Sequence, residues 1–369
     1  MMTNVQSDPI KIGITHGDFN GIGYEIILKV MTDKRLLELF TPVIYGSSKI
    51  ASYYRKAFDL GEVNINLIKK ADYATPRKPN IINVYMDEVK VDIGNISKKA
   101  GELAFLALEK AIEDLKWGKV DALVTAPISK SNIQSDQFNF SGHSEYLASK
   151  FNVENHLMLM VSGDLRIGII TGHIPISQVS HQISTEVILN KIKVLEKSLR
   201  MDFNIGKPKV AILGLNPHAG DNGLIGTEEV AFIEPAIRKA REMGILAFGP
   251  YPADGFFGSS NYRNFDGILA LYHDQGMLPF KTFGFEQGVN FTAGLPIVRT
   301  SPAHGTAFDI AGKNIASPDS FRHALYMAID IHRNRKQYEE LTKNPLEPPG
   351  IRYINNGSRE EQQKDFLEV

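Results

Sequence analysis

IKIGITHGDFNGIGYEIILKVM, residues 10–31, sets the class of fold. Its first six residues form an apolar run of strand length. Gly17, Gly21 and Gly23 follow, and from Tyr24 apolar residues return at helical spacing. A buried strand, a glycine turn and a helix in that order open a βα unit. The glycines are not spaced as GxGxxG, and no fitting acidic residue ends a second strand, so the Rossmann fingerprint is absent. The spacing predicts a tight turn with close helix–strand packing in place of a phosphate cradle.

The same alternation continues along the chain. Residues 41–46 (TPVIYG), 121–125, 157–161, 167–171, 210–214 and 267–272 (GILALY) read as further strands. Residues 101–117, 228–243 and 320–333 read as amphipathic helices, the first with Leu103, Leu106, Ala107 and Ala111 on one face. Strands separated by helices imply an α/β fold with a mainly parallel sheet, whose chemistry sits on loops at the carboxyl ends of strands. Residues 344–369 are rich in Pro and Gly and then charged, a tail to which no function is assigned.

Composition removes several classes. A net charge of -1 over 369 residues gives no basic excess for nucleic acid and no acidic excess for a disordered chain. With no cysteine, disulfides, iron–sulfur clusters, thiolate zinc and cysteine nucleophiles are excluded. The first nine residues lack a secretory pattern and no apolar run reaches membrane length, so a cytoplasmic protein without membrane contact is expected.

Three histidines follow strands: His173 in RIGIITGHIPIS, His218 in LGLNPHAGDNG and His273 in LALYHDQGM. Each alone reads as a polar loop residue. Together, in a cysteine-free chain, they also read as a shared site for a divalent ion with positions left open for substrate. GHSEY sets His143 and Ser144 at a helix start, where they either cap the helix with Glu145 or donate to an anion. Lys281, Asn290 and Arg299 lie among apolar and glycine residues, and a cation buried there requires an anionic partner.

The most specific run is HGTAFDIAGKNIASP, residues 304–318. It resembles the adenosine-binding loop of the isocitrate and isopropylmalate dehydrogenase superfamily, with Phe308 in place of the usual proline. Together with GLNPHAG, YHDQG, GHSE and GVNFTAGLPIVRTS, it is similar to one branch, the 4-hydroxythreonine-4-phosphate dehydrogenase family, over residues 10–331. That resemblance implies two α/β domains around a central cleft, residues 10–125 with 300–340 and residues 126–299. It implies a homodimer with sites at the subunit interface and NAD held by His304, Gly305, Thr306, Ala307 and Asp309. It makes His173, His218 and His273 ligands of a divalent ion (Zn, Mg, Mn or Co), one histidine coming from the partner. It makes His143, Ser144, Lys281, Asn290 and Arg299 the binding positions of a small phosphorylated hydroxy acid.

The activity implied is NAD-dependent oxidation of 4-phosphohydroxy-L-threonine to a β-keto acid, which decarboxylates to 3-amino-2-oxopropyl phosphate for pyridoxal phosphate biosynthesis. Asp254 and Asp274 are the candidate proton acceptors. The chain departs from the family pattern at His16, Phe19, Asn20, Ala126, Ser144 and the Gly255–Phe256 pair. These changes near the substrate end keep open a paralogue acting on 4-phospho-threonate or 4-phospho-erythronate. A metal-dependent phosphohydrolase would use the same histidines but leaves the 304–318 loop without a purpose. A non-catalytic phosphometabolite-binding protein would be expected to have lost a histidine or an anchoring cation, and none is lost.

Overall fold

The computed structural model describes residues 9–86 and 88–344, so the expected tail lies outside the described residues except for Asn344. One twelve-stranded sheet runs through the molecule. Its strands are β1 Lys11–Thr15, β2 Thr41–Gly46, β3 Asn66–Ile68, β4 Asn80–Asn83, β5 Ala122–Thr125, β6 Leu157–Ser162, β7 Leu165–Thr171, β8 Lys209–Leu213, β9 Leu246–Tyr251, β10 Gly267–Tyr272, β11 Val289–Ala293 and β12 Arg299–Pro302. They lie in the order β3-β4-β2-β1-β5-β12-β11-β6-β7-β10-β8-β9. Three central pairings, β12 with β11, β11 with β6 and β6 with β7, are antiparallel, and the remaining pairings are parallel. Residues 10–125 supply β1–β5 and residues 126–298 supply β6–β11, with the sheet continuous across the join at β12. Among the described residues, no helix is long and apolar enough to cross a membrane.

The opening βα unit forms as read, with the helix at Gly23–Met31. Its glycines serve close packing. Gly17 holds φ +66°, and a Cβ there would stand 2.2 Å from the Pro127 carbonyl oxygen. A Cβ on Gly23 would meet the His16 carbonyl oxygen at 2.2 Å. The helix read at 101–117 spans Lys98–Lys116, started by Ser97, whose side chain accepts from the Ala100 N–H. Leu106 corrects the expected face: it is 46% exposed, on the flank away from the buried stripe of Leu103, Ala104, Ala107, Leu108 and Ala111. The segment read as one helix at 228–243 is a π-helical turn, Glu229–Ile233, followed by an α-helix, Glu234–Glu242. The last described helix runs further than read, Asp319–Thr342.

His16, one of the departures from the family pattern, is fully buried. Its ring stacks on Tyr24 at 5.3 Å, and among the described residues neither ring nitrogen has a side-chain partner. Burial holds its pKa down to about 4. The unfolded chain takes up this proton near pH 6.5. Stability is therefore complete above that pH and declines as the pH falls towards 4, by up to about 1.4 kcal/mol per pH unit from this group. His16→Phe preserves an aromatic stack without a titrating nitrogen and is expected to flatten this decline. Urea midpoints measured at about pH 7.5 and about pH 5 check it, and an unchanged difference between wild type and variant contradicts it.

Candidate active site

A cleft of about 300 Å³ opens over the central strands. Its floor is one face of the antiparallel section, because alternate strand residues share a face. Met158 and Met160 come from β6, Asn290 from β11, and Arg299 and Ser301 from β12, with buried Thr292 of β11 on the same strand face as Asn290. Register aligns Met160 with Asn290 and Asn290 with Ser301. The strand-end rule thus accounts for only part of the site. His173 and His273 arrive from strand ends, whereas Asn290 and Arg299 project from the sheet itself.

Arg299 is 2% exposed. Its guanidinium donates to hydroxyls only, to Thr125 Oγ1 at 2.7 and 3.2 Å and to Thr292 Oγ1 at 3.4 Å. Burial lowers its pKa to about 9, against the opposing pull of Glu145, so it remains a cation at neutral pH. Among the described residues it forms no ion pair, an uncompensated buried charge of the kind that an anionic ligand neutralises. His143 is also buried, and burial followed by the Arg299 charge pushes its pKa well below 6.5, leaving a neutral imidazole. Its Nε2, the Asn290 Oδ1 and the His304 Nε2 are buried with no hydrogen-bond partner among the described residues. Buried polar atoms are seldom left so, and all three residues line the cleft.

His143 and Ser144 open the helix His143–Lys150. That helix is seated by an aromatic cluster in which Tyr146 packs on Phe138 at 4.7 Å and on Phe140 at 5.2 Å, while the Tyr146 hydroxyl donates to Glu109 at 2.6 Å. The capping reading of Ser144 is corrected. Gly142 is the N-cap and makes no side-chain cap, and the Ser144 hydroxyl pairs with Thr292 Oγ1 at 2.9 Å, joining the Arg299 network. Lys281 is exposed and lines the same cleft.

His173 and His273 face one another in the cleft, ring centres 5.6 Å apart. His273 Nδ1 lies 2.7 Å from Asp274 Oδ1, and His173 Nδ1 lies 3.6 Å from Glu145 Oε1. Burial would raise Glu145, but hydrogen bonding, with His173 foremost, brings it down to about 2. Lys130 Nζ sits 3.0 Å from His173 Nε2. His218 also follows a strand at this end of β7, β10 and β8, but it is exposed and does not line the cleft. Among the described residues no three His, Asp or Glu side chains of the one chain gather closely enough to hold a metal. Asp274 is turned to His273 rather than into the cleft, and Asp254 is exposed on the short helix Ala253–Gly258, which packs on residues 217–223.

Residues 304–318 wrap against the first helix. The Ile22 N–H donates to the Thr306 carbonyl at 3.1 Å, the Ala316 N–H donates to Glu25 Oε1 at 2.9 Å, and Lys29 Nζ donates to the Asn314 and Ala316 carbonyls. His304 and Gly305 reach the cleft, while Thr306, Ala307 and Asp309 extend away from it along the loop. Several residues at or behind the site were given no role from sequence: Thr125, Lys130, Thr292, Glu229 and Gln275, while Glu145 was read only as part of a helix cap. Gln275 accepts from the Leu271 N–H at 2.7 Å and donates to the Gly214 carbonyl at 2.6 Å, tying the His273 and His218 segments together. Its place two residues after His273 in YHDQG was the signal available for it.

Fold and site together define an α/β protein with a cleft built around an unpaired cation for a small anionic ligand. The chain belongs to the family described as pyridoxal phosphate biosynthetic protein PdxA, which matches residues 38–328. It is 50% identical over 343 residues to a 4-hydroxythreonine-4-phosphate dehydrogenase of Bacteroides thetaiotaomicron, covering 93% of this chain and 94% of that protein. It is 38% identical over 323 residues to an Oceanobacillus iheyensis protein named as a D-threonate 4-phosphate dehydrogenase, covering 87% and 97%. Among solved structures, the 4-hydroxythreonine-4-phosphate dehydrogenase of Klebsiella pneumoniae aligns with a TM-score of 0.74 at 33% identity, covering 89% of this chain and 99% of that one.

Proposed function

We propose that this chain is an NAD-dependent, divalent-metal-assisted dehydrogenase of 4-phosphohydroxy-L-threonine. The buried, unpaired Arg299 carries this reading, because it fits a ligand whose ends are phosphate and carboxylate. Arg299, Lys281 and the His143–Ser144 pair hold those ends, the arginine offering a planar fork and the lysine a point charge. Neutral His143 donates one N–H at the helix start, where anions are favoured. Asn290 takes a donor of the substrate on its free oxygen.

The donor set fits a divalent ion in part: two imidazoles face each other, each beside a carboxylate that orients the ring. His218 of a second copy completes the set, which makes the protein a homodimer with shared sites. A divalent ion held there supplies Lewis-acid chemistry to an alcohol and to the carbanion left by departing CO2. Within the chain, Asp274 fixes the His273 ring and Glu145 the His173 ring, while Asp254 travels with His218. A bound nicotinamide would supply the acceptor for hydride from the carbinol carbon, and the alcohol proton would pass to solvent water or to a carboxylate, with Asp254 and Asp274 the candidates. The resulting β-keto acid loses CO2 to give 3-amino-2-oxopropyl phosphate. NADH formation without phosphate release tests the reaction class; phosphate release in the absence of NAD would place the chain among hydrolases.

Residues 304–318 would hold NAD, with His304, Gly305, Thr306, Ala307 and Asp309 at its adenosine end. A Cβ on Gly21 would stand 2.6 Å from the Thr306 carbonyl oxygen. Gly21→Ala is therefore expected to displace this loop and raise the KM for NAD roughly tenfold, with the phosphorylated substrate's KM little changed, since about 1.4 kcal/mol of lost contact suffices. Steady-state kinetics with each substrate varied in turn check this; equal changes in both would contradict it. The relative named for D-threonate 4-phosphate keeps the 4-phospho-threonate reading as the alternative substrate.

A further inference from the structure

The three strand-end histidines are carried differently. His218 rides on a run of five residues, His218 to Asn222, whose φ angles all lie between 43° and 78°. Residues with side chains adopt this left-handed conformation singly and at a cost, so a run of them persists only where the surroundings dictate it.

The buried carboxylate that lies against this run is Glu229, which the reaction does not use. It is 1% exposed. Its Oε1 accepts from the backbone N–H groups of Leu215 at 2.7 Å and Asn216 at 2.8 Å, and its Oε2 accepts from Asn216 Nδ2 at 2.9 Å. The Asn216 carbonyl in turn accepts from the Ala219 N–H at 3.1 Å, inside the left-handed run. A Cβ on Gly220, at the middle of that run, would stand 2.6 Å from Glu229 Oε2, so the carboxylate lies directly against the turn. Adjacent Glu228 holds the same Asn216 Nδ2 at 2.8 Å. Glu229 also begins the π-helical turn Glu229–Ile233, and π-turns occur frequently at functional sites.

We infer that Glu229 is a positioning residue, whose buried carboxylate fixes the left-handed turn that presents His218 to the metal; this rests on the reading of His218 as a metal ligand. A carboxylate accepts all three N–H groups. Glutamine at this site would set its own NH2 against Asn216 Nδ2 and release the turn.

The test is calorimetric titration of the full-length, metal-stripped protein with cobalt(II), in parallel with NAD affinity and thermal unfolding. Wild type, His218→Ala, Glu229→Gln and Gly220→Ala are compared. Gly220→Ala presses a methyl group on the same carboxylate from the other side. Both Glu229→Gln and Gly220→Ala are expected to weaken cobalt binding by about 10–100-fold, with NAD affinity unchanged. Wild-type cobalt affinity in both, alongside loss in His218→Ala, overturns the positioning role and leaves the metal reading standing. Wild-type affinity in His218→Ala removes the metal reading itself. Parallel loss of NAD and cobalt affinity in Glu229→Gln and Gly220→Ala would assign Glu229 to the general fold and likewise overturn the inference.

Discussion

Arg299→Met is expected to raise the KM for the phosphorylated substrate by about 30-fold to several-thousand-fold, the range of about 2–5 kcal/mol for removing one partner of a buried charge pair. The same change is expected to leave the melting temperature unaltered or to raise it. The two outcomes share one cause. In the free protein the guanidinium is 2% exposed and, among the described residues, held only by the hydroxyls of Thr125 and Thr292. It carries the cost of a desolvated charge without an ion pair, and methionine fills similar volume without that cost. Thr292 keeps its contact with Ser144 after the change. Initial-rate kinetics and differential scanning calorimetry on the same preparation read both effects. A melting temperature lowered by several degrees with an unchanged KM would make Arg299 a structural residue and would withdraw the anion-binding reading of the cleft.

The second large effect is expected at His218, which is exposed and lies outside the cleft of its own chain. Loss of an exposed loop side chain ordinarily changes little. If a second copy's cleft uses it as a metal ligand, His218→Ala lowers kcat on the order of 10³-fold, several kcal/mol of charge stabilisation, with the fold intact. His173→Ala is expected to do the same from within the cleft. Unfolding and reassembling the two inactive variants together tests the sharing directly. Half of the resulting dimers are mixed, and each mixed dimer holds one intact site, so about a quarter of wild-type activity should return. No recovery from the mixture would contradict a site shared between copies.

Much of this architecture was legible because buried parallel strands are short apolar runs, and β1, β2, β8 and β10 stand out as such. Of the central strands that floor the cleft, β6 was read, but β11 and β12 escaped for the reason that makes them functional. β11 carries Asn290 and Thr292 and β12 carries Arg299 and Ser301, so neither shows an apolar run. The helix His273–Gly284 was hidden by Gly276 and Pro279, residues that ordinarily mark a helix end. The helix Thr185–Met201 has a plain stripe of Ile188, Ile192, Leu195 and Leu199, which was present in the sequence but not used. At the site, residue types suggested His143, Ser144, Asn290 and Arg299, and the structure brings them to one cleft. Glu145 was read only as a helix cap and Glu229 was not read at all, because a carboxylate that orients another group is indistinguishable in sequence from a cap or a surface charge. His218 illustrates a different limit, since it is exposed and outside its own chain's cleft, and the role proposed for it rests on a second copy that one sequence does not display.

The measurement that bears most directly on the proposed function is NADH formation by the metal-supplemented protein, comparing 4-phosphohydroxy-L-threonine with 4-phospho-threonate and 4-phospho-erythronate. Preference for the amino acid, as kcat/KM, is the result expected, with CO2 released as NADH forms. Preference for either phosphorylated sugar acid would contradict the assignment to pyridoxal phosphate biosynthesis while retaining the same hydride chemistry.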